Sequence, residues 1–201
     1  MVFVNYADKK VSCKIVYCGT GESGKTTNVT FIYDKLDSSI RSEITALEGL
    51  NARTLFFDFL SINLGTVKGF NTSFSLYTTP GQDEHAAVRK IVLNGVDGII
   101  FVADSRTDKR QENIDCLKEL IEDLSGYGLS LGKIPIVFQY NKRDLDDCLS
   151  LEMLEDDLNK DSLIFLSLLK ILDFKSITPE NVSLYEIHLD DFYKSLLSNL
   201  K

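Results

Sequence analysis

Basic side chains are scarce in this chain: 22 Lys and Arg stand against 30 Asp and Glu, giving a net charge of −8. A nucleic-acid surface needs a dense basic stripe to neutralise phosphates, and none is present. Clusters such as Asp144 to Asp147 and Glu155 to Asp157 read as solvated faces. Three prolines and 12 glycines are too few for a long linker, and 201 residues with 44% hydrophobic content suffice for one core. One compact domain over residues 1–201 is therefore expected. The two histidines, His85 and His188, have no paired ligand or nucleophile and enter no mechanism. Cys13, Cys18, Cys116 and Cys148 show neither a C-x-x-C pair nor zinc-like spacing, which leaves reduced, buried thiols. Cys13 and Cys18, five apart on one strand, are expected on opposite faces of a sheet.

Long apolar runs are missing too. The most apolar stretch, around Leu163 to Leu172, contains Lys170 and is too short to span a bilayer. MVFVNYADKK has no signal-peptide core and SNLK no prenylation box, so a cytoplasmic protein without a direct membrane anchor is expected.

What is present is an alternation. KIVYC, GIIFVAD, IPIVFQY and LIFLSL are near-continuous apolar segments, as parallel strands covered on both faces require, and amphipathic patterns lie between them. Ile114, Leu117, Leu120, Ile121 and Leu124 form one helical face, ended by Gly126 and Gly128. A last helix is expected from Ser183, spaced from Glu186 as in a capping box. LFFDFLSI (Leu55 to Ile62) and FNTSFSLY (Phe70 to Tyr77) flank a turn containing Gly65 and read as an antiparallel hairpin at a sheet edge. The expected fold is α/β: a doubly wound, six-stranded, mostly parallel sheet with one antiparallel edge strand.

GTGESGKT, Gly19 to Thr26, fits the phosphate loop G-x-x-x-x-G-K-[ST] between the strand-like KIVY and a helix-like TTNVTFIYDKL that begins at Thr26 and Thr27. Such a loop, through Gly19, Gly21, Glu22, Ser23 and Gly24, turns backbone N–H groups onto a polyphosphate, and the following helix adds its positive end. Lys25 is expected on the β- and γ-phosphates and Thr26 on Mg2+. Asn141, Lys142, Arg143 and Asp144 follow IPIVFQY directly, at the carboxyl edge of the sheet where open α/β folds bind ligands. N-K-x-D there suggests guanine, because the carboxylate of Asp144 can accept from the ring N–H and the exocyclic amine together. Standing alone, NKRD could also be a polar turn.

These motifs carry a resemblance. GTGESGKTT, ARTLFFDF, SLYTTPGQ, GVDGIIFVADS and QYNKRDL together resemble the small Ras-like GTPases of the P-loop NTPase class, and among them the bacterial MglA type. The resemblance runs from about residue 1 to Asp144. It implies Mg2+ with GTP or GDP, and GTP hydrolysis as a switch in cell polarity and gliding motility. It further implies a Roadblock-type MglB activator, effectors of polarity or motility, and recruitment to a cell pole through partners.

Chemistry of individual residues follows. Gln82, just after the third strand, can orient a water in line with the γ-phosphorus, and Gly81 can present its N–H to that phosphate. Thr54 would bring its hydroxyl to Mg2+ and its N–H to the γ-phosphate. Arg53 beside it would neutralise transition-state charge, and the resemblance makes it an internal arginine finger; otherwise it is a solvated loop arginine. Two departures stand out. Thr78 occupies the position where most small GTPases carry Asp, and a threonine cannot supply that charge. Asp58, alone in an apolar strand, is either the substitute carboxylate for the metal or a residue at an exposed edge. Glu22 either pairs with Arg53 or points outward. After the sixth strand, Ser167 and Leu168 are the candidates for a further base contact. Two other functional classes stay open: a module that binds GTP with little hydrolysis, and an ATP-using P-loop enzyme, which NKRD disfavours.

Overall fold

The computed structural model describes residues 3–48, 55–80, 86–131 and 133–159. Within them the chain runs β1 (Phe3–Asn5), β2 (Lys10–Cys18), α1 (Lys25–Lys35), β3 (Thr45–Glu48), β4 (Leu55–Val67) and β5 (Phe70–Thr78). It continues through α2 (Ala86–Leu93), β6 (Gly98–Asp104), α3 (Arg110–Ser125), β7 (Ile136–Asn141) and α4 (Leu151–Leu158). The strands form one sheet in the order β3-β4-β5-β2-β6-β7, with β1 paired to the start of β2. Pairs β2–β5, β2–β6 and β6–β7 are parallel, whereas β4 runs antiparallel to β5. The doubly wound, mostly parallel α/β sheet is the one expected; among the described residues it has seven strands rather than six, and β1 as well as β4 runs antiparallel to a neighbour.

Its two covered faces account for the apolar runs. On one side α1 presses Val29 and Ile32 onto Ile15, Tyr17, Leu60, Phe74 and Leu76. On the other, α2, α3 and α4 bury Val92, Leu93, Leu117, Leu120, Leu124 and Leu154 against Val16, Ile99, Phe101 and Phe138. The last four residues of β2 are all buried, as a strand between two helical layers must be. Cys13 joins the α1 side and Cys18 the α3 side, on opposite faces as their odd spacing requires. Burial raises both thiols to about 12, so they are inert.

Several local expectations change. The hairpin turn is Lys68–Gly69; Gly65 instead sits in a register shift between Asn63 and Thr66, its N–H held by Asn63 Oδ1 at 2.9 Å. β4 is not the edge, because the short β3 pairs outside it. Residues 45–48 carry no alternating apolar signal, so nothing in the sequence marked that strand. On α3 the buried stripe is Leu117, Leu120 and Leu124, while Ile121 is exposed. The expected strand around Leu163 to Leu168 and the helix from Ser183 lie outside the described residues.

Candidate nucleotide site

The carboxyl ends of β2, β6 and β7 and the N-terminus of α1 meet at one edge of the sheet. The chain leaves β2 at Cys18 and turns through Gly19 to Gly24 into α1. Two glycines there sit where a side chain would meet a neighbouring strand. A Cβ on Gly19 (φ 138°) would lie 2.1 Å from the carbonyl oxygen of Val102 in β6, and one on Gly24 (φ 104°) would lie 2.3 Å from Asn141 Nδ2. The loop is pressed against two strands at once.

β7 holds it by two amides. Asn141 Nδ2 donates to the Ser23 carbonyl at 2.8 Å. Gln139 Nε2 donates to Asn28 Oδ1 at 3.0 Å, and Asn28 Nδ2 donates to the Gly24 carbonyl at 2.8 Å. The N-K-x-D and phosphate-loop segments, 118 residues apart, are therefore bonded directly to each other.

Lys25 is buried, its ammonium donating to the carbonyls of Gly19 (2.9 Å) and Thr20 (2.6 Å). Burial lowers its pKa, the response of a cation short of counter-charge. The hydroxyls of Thr20 and Ser23 are buried with no protein partner. A buried cation and two orphaned hydroxyls on one loop fit an anionic, oxygen-rich group such as a polyphosphate.

Two of the magnesium candidates, Thr26 and Asp58, meet. Thr26 Oγ1 donates to Asp58 Oδ2 at 2.6 Å, and Thr78 Oγ1 donates to the same oxygen at 3.0 Å. Asp58 is 4% exposed, which removes the exposed-edge reading. Its own backbone N–H donates to Thr78 Oγ1 at 2.8 Å, locking β4 to β5 at this point. A hydroxyl and a carboxylate beside a phosphate loop form the hard-oxygen donor set that suits Mg2+, which takes few protein ligands and completes its shell with phosphate and water. Beyond Thr78, Thr79 N–H continues the ladder to Tyr17 O at 2.9 Å.

Lys142 has a left-handed backbone (φ 64°), and its ammonium meets Asp104 Oδ2 at 2.9 Å. Asp144 is exposed at the mouth of the same loop. Glu22, also left-handed (φ 59°), is exposed. Asp104 is the main cause of the raised pKa of Arg106, and Glu22 adds a smaller share. Gly21 and Thr27 lie in the loop and the first turn of α1 as expected. Arg53, Thr54, Gly81, Gln82, Ser167 and Leu168 lie outside the described residues, as does Arg53 as a partner for Glu22. The sequence reading missed Thr20, Asn28, Asp104 and Gln139. Asp104 had a usable signal, a carboxylate closing the apolar run GIIFVA, whereas the amides become visible only when β7 lies beside α1.

Among the described residues no helix is long and apolar enough to cross a membrane. Residues 1–183 match the ADP-ribosylation factor family. The mutual gliding-motility protein MglA of Myxococcus xanthus is 40% identical over 201 residues, covering 100% of this chain and 98% of that one. ADP-ribosylation factor K of Dictyostelium discoideum is 29% identical over 146 residues, covering 71% of this chain and 72% of its own. The Arl6 small GTPase of Trypanosoma brucei with a bound nucleotide analogue has the same fold, with a TM-score of 0.54 at 21% identity, over 74% of this chain and 78% of that one. The chain thus belongs to the ADP-ribosylation factor family of small GTPases, as an MglA-type GTP hydrolase.

Proposed function

We propose that the chain, acting as one domain, is a GTP/GDP switch with its catalytic groups in cis. The observation that supports this most is the bond from Asn141 Nδ2 to the Ser23 carbonyl, which ties the base-reading loop to the phosphate loop. Through it, one ligand carrying both a guanine and a polyphosphate engages both segments. Asp144 accepts from the guanine edge, Lys25 releases the Gly19 and Thr20 carbonyls to meet the β- and γ-phosphates, and backbone N–H groups of Gly21 to Gly24 cradle the chain of phosphates. Magnesium, when bound, would supply positive charge that offsets the charge on the phosphate oxygens. Thr26, Asp58 and Thr54 are the residues that would hold it.

For hydrolysis, Gln82 orients the attacking water, Gly81 N–H binds the γ-phosphate, and Arg53 offsets charge that grows toward the leaving oxygen. Thr54 and the Gly81–Gln82 segment respond to the γ-phosphate and present an effector surface when it is there. The 40% identity to a mutual gliding-motility protein supports a role in polarity or motility, with a Roadblock-type MglB partner stimulating turnover and effectors drawing the protein to a cell pole. A contact from Ser167 and Leu168 to the base belongs to the same reading. Thr78 and the atypical last third of the chain are the arguments for the GTP-locked alternative, and Asp58, hydrogen-bonded to Thr26, weakens the first.

Nucleotide competition tests the binding half. GDP in excess should displace bound fluorescent GTP while ADP does not, and Asp144→Ala should erase the difference. Equal displacement by ADP in the unaltered protein would overturn the guanine assignment.

A further inference from the structure

Asp104 ends β6 in register with Asn141, the first residue of the N-K-x-D segment. Its side chain is 0% exposed, yet charged partners surround it. Lys142 Nζ lies 2.9 Å from Oδ2; Arg106 Nη2 lies 2.7 Å from Oδ2, and Arg106 Nε and N–H reach Oδ1 at 3.1 and 3.2 Å. Asn113 from α3 fixes the backbone of the same residue, accepting its N–H at 3.0 Å and donating to its carbonyl at 2.8 Å. Burial pushes the carboxyl up, but the Arg106 and Lys142 bonds outweigh it and hold the group below the usual carboxylate range.

The other end of Lys142 is held as well. Its carbonyl accepts from Cys148 Sγ at 3.2 Å and Leu145 N–H at 3.2 Å, and Cys148 pairs with Arg106 in an isolated bridge. A lysine with φ 64° adopts a conformation that costs free energy unless its surroundings impose it. Here the ammonium and the carbonyl are both fixed, two residues before Asp144.

We infer that Asp104 is a positioning residue for guanine-nucleotide binding, acting through Lys142 to fix the loop that displays Asp144. This rests on the reading of N-K-x-D as the base site. Because the carboxylate sits at the base end rather than beside the γ-phosphate, its loss weakens GDP and GTP alike.

The test is the dissociation rate of fluorescent GDP and of a fluorescent non-hydrolysable GTP analogue. Asp104→Asn should speed both about tenfold, a factor of one decade in affinity. In a Lys142→Ala background the same change should add less than about twofold, since the partner is already gone. An equal effect in both backgrounds would reveal a purely structural carboxylate and overturn the inference, as would an unchanged rate in the single variant. If Lys142→Ala and Asp144→Ala both retain GDP like the unaltered protein, the base-site reading itself fails. If instead they weaken GDP and Asp104→Asn does not, only the Asp104 assignment fails. A second measurement needs no variant: acetic anhydride should label Lys142 at least about ten times more slowly than exposed Lys68 in both nucleotide-free and GDP-loaded protein, because its ammonium is tied down. Labelling at the rate of Lys68 would contradict the inference even if Asp104→Asn does not fold.

Discussion

Thr78 and Asp58 are hydrogen-bonded twice across neighbouring strands: the Thr78 hydroxyl donates to Asp58 Oδ2 at 3.0 Å and accepts the Asp58 backbone N–H at 2.8 Å. The threonine does not replace an acidic side chain; it positions one supplied by the adjacent strand. The same oxygen of Asp58 also accepts from Thr26 at 2.6 Å, so the carboxylate and the hydroxyl proposed for magnesium are already in contact.

Asp58→Ala is therefore expected to lower magnesium-dependent GTP affinity by about tenfold or more, the scale of one strong polar contact. Titration of fluorescent GTP with and without chelator measures this. Affinity equal to that of the unaltered protein at saturating magnesium would leave Asp58 a structural residue only.

Thr78→Val keeps the shape but strands the Asp58 N–H in a buried position, at a cost of about 1–3 kcal/mol. Thr78→Ser retains both bonds and should cost much less. Urea unfolding of the two variants separates them, and equal losses would mean that the hydroxyl is not what matters.

Gly19 and Gly24 should fail differently. A Cβ at Gly19 strikes the rigid backbone of β6, so Gly19→Ala is expected to destabilise the fold by about 3 kcal/mol. At Gly24 the clash is with the Asn141 side chain, which can rotate away at the expense of its bond to Ser23. Gly24→Ala should thus stay folded and lose nucleotide, as circular dichroism and a filter-binding assay would register.

Lys25 carries a pH signature. Its folded-state pKa lies below the ordinary 10.5 through burial, so between that lowered value and 10.5 the unfolded chain binds more protons. Stability of the nucleotide-free protein should consequently gain a rising component with pH across that window. Lys25→Met should remove the component together with nucleotide binding; identical pH slopes for the two proteins would argue against it.

Arg89 links α2 to α3, with Nε 2.6 Å from Asp123 Oδ2 and Nη1 2.8 Å from Glu119. Asp123 is largely buried and would be left with Lys90 at 3.7 Å. Arg89→Met should cost about 2 kcal/mol, below the value for a fully buried pair because solvent reaches the site. Since α2 follows directly on the Gln82 segment, thermal melts of this variant should be read beside its stimulated hydrolysis.

Much of this was legible in the sequence because the features are local. GTGESGKT and NKRD declare their chemistry in consecutive residues, and the near-continuous apolar runs in β2, β6 and β7 announce strands covered on both faces. What stayed hidden depends on non-local pairing. The strand at Thr45–Glu48 has no periodic pattern and exists because β4 offers it an edge. Gly65 looked like a turn because glycine serves bulges as readily as turns. Asp58 could not be placed from an apolar strand alone; only its bonds to Thr26 and Thr78 show that it points inward. Asp104 looked like a strand terminus until Lys142 and Arg106 were found on it.

The most direct test of the central claim is single-turnover hydrolysis of bound GTP, with and without a Roadblock-type partner. A switch with its catalytic groups in cis should show slow decay that the partner accelerates by orders of magnitude, with the acceleration largely lost in Arg53→Ala. No decay under either condition, or full stimulation in Arg53→Ala, would contradict it.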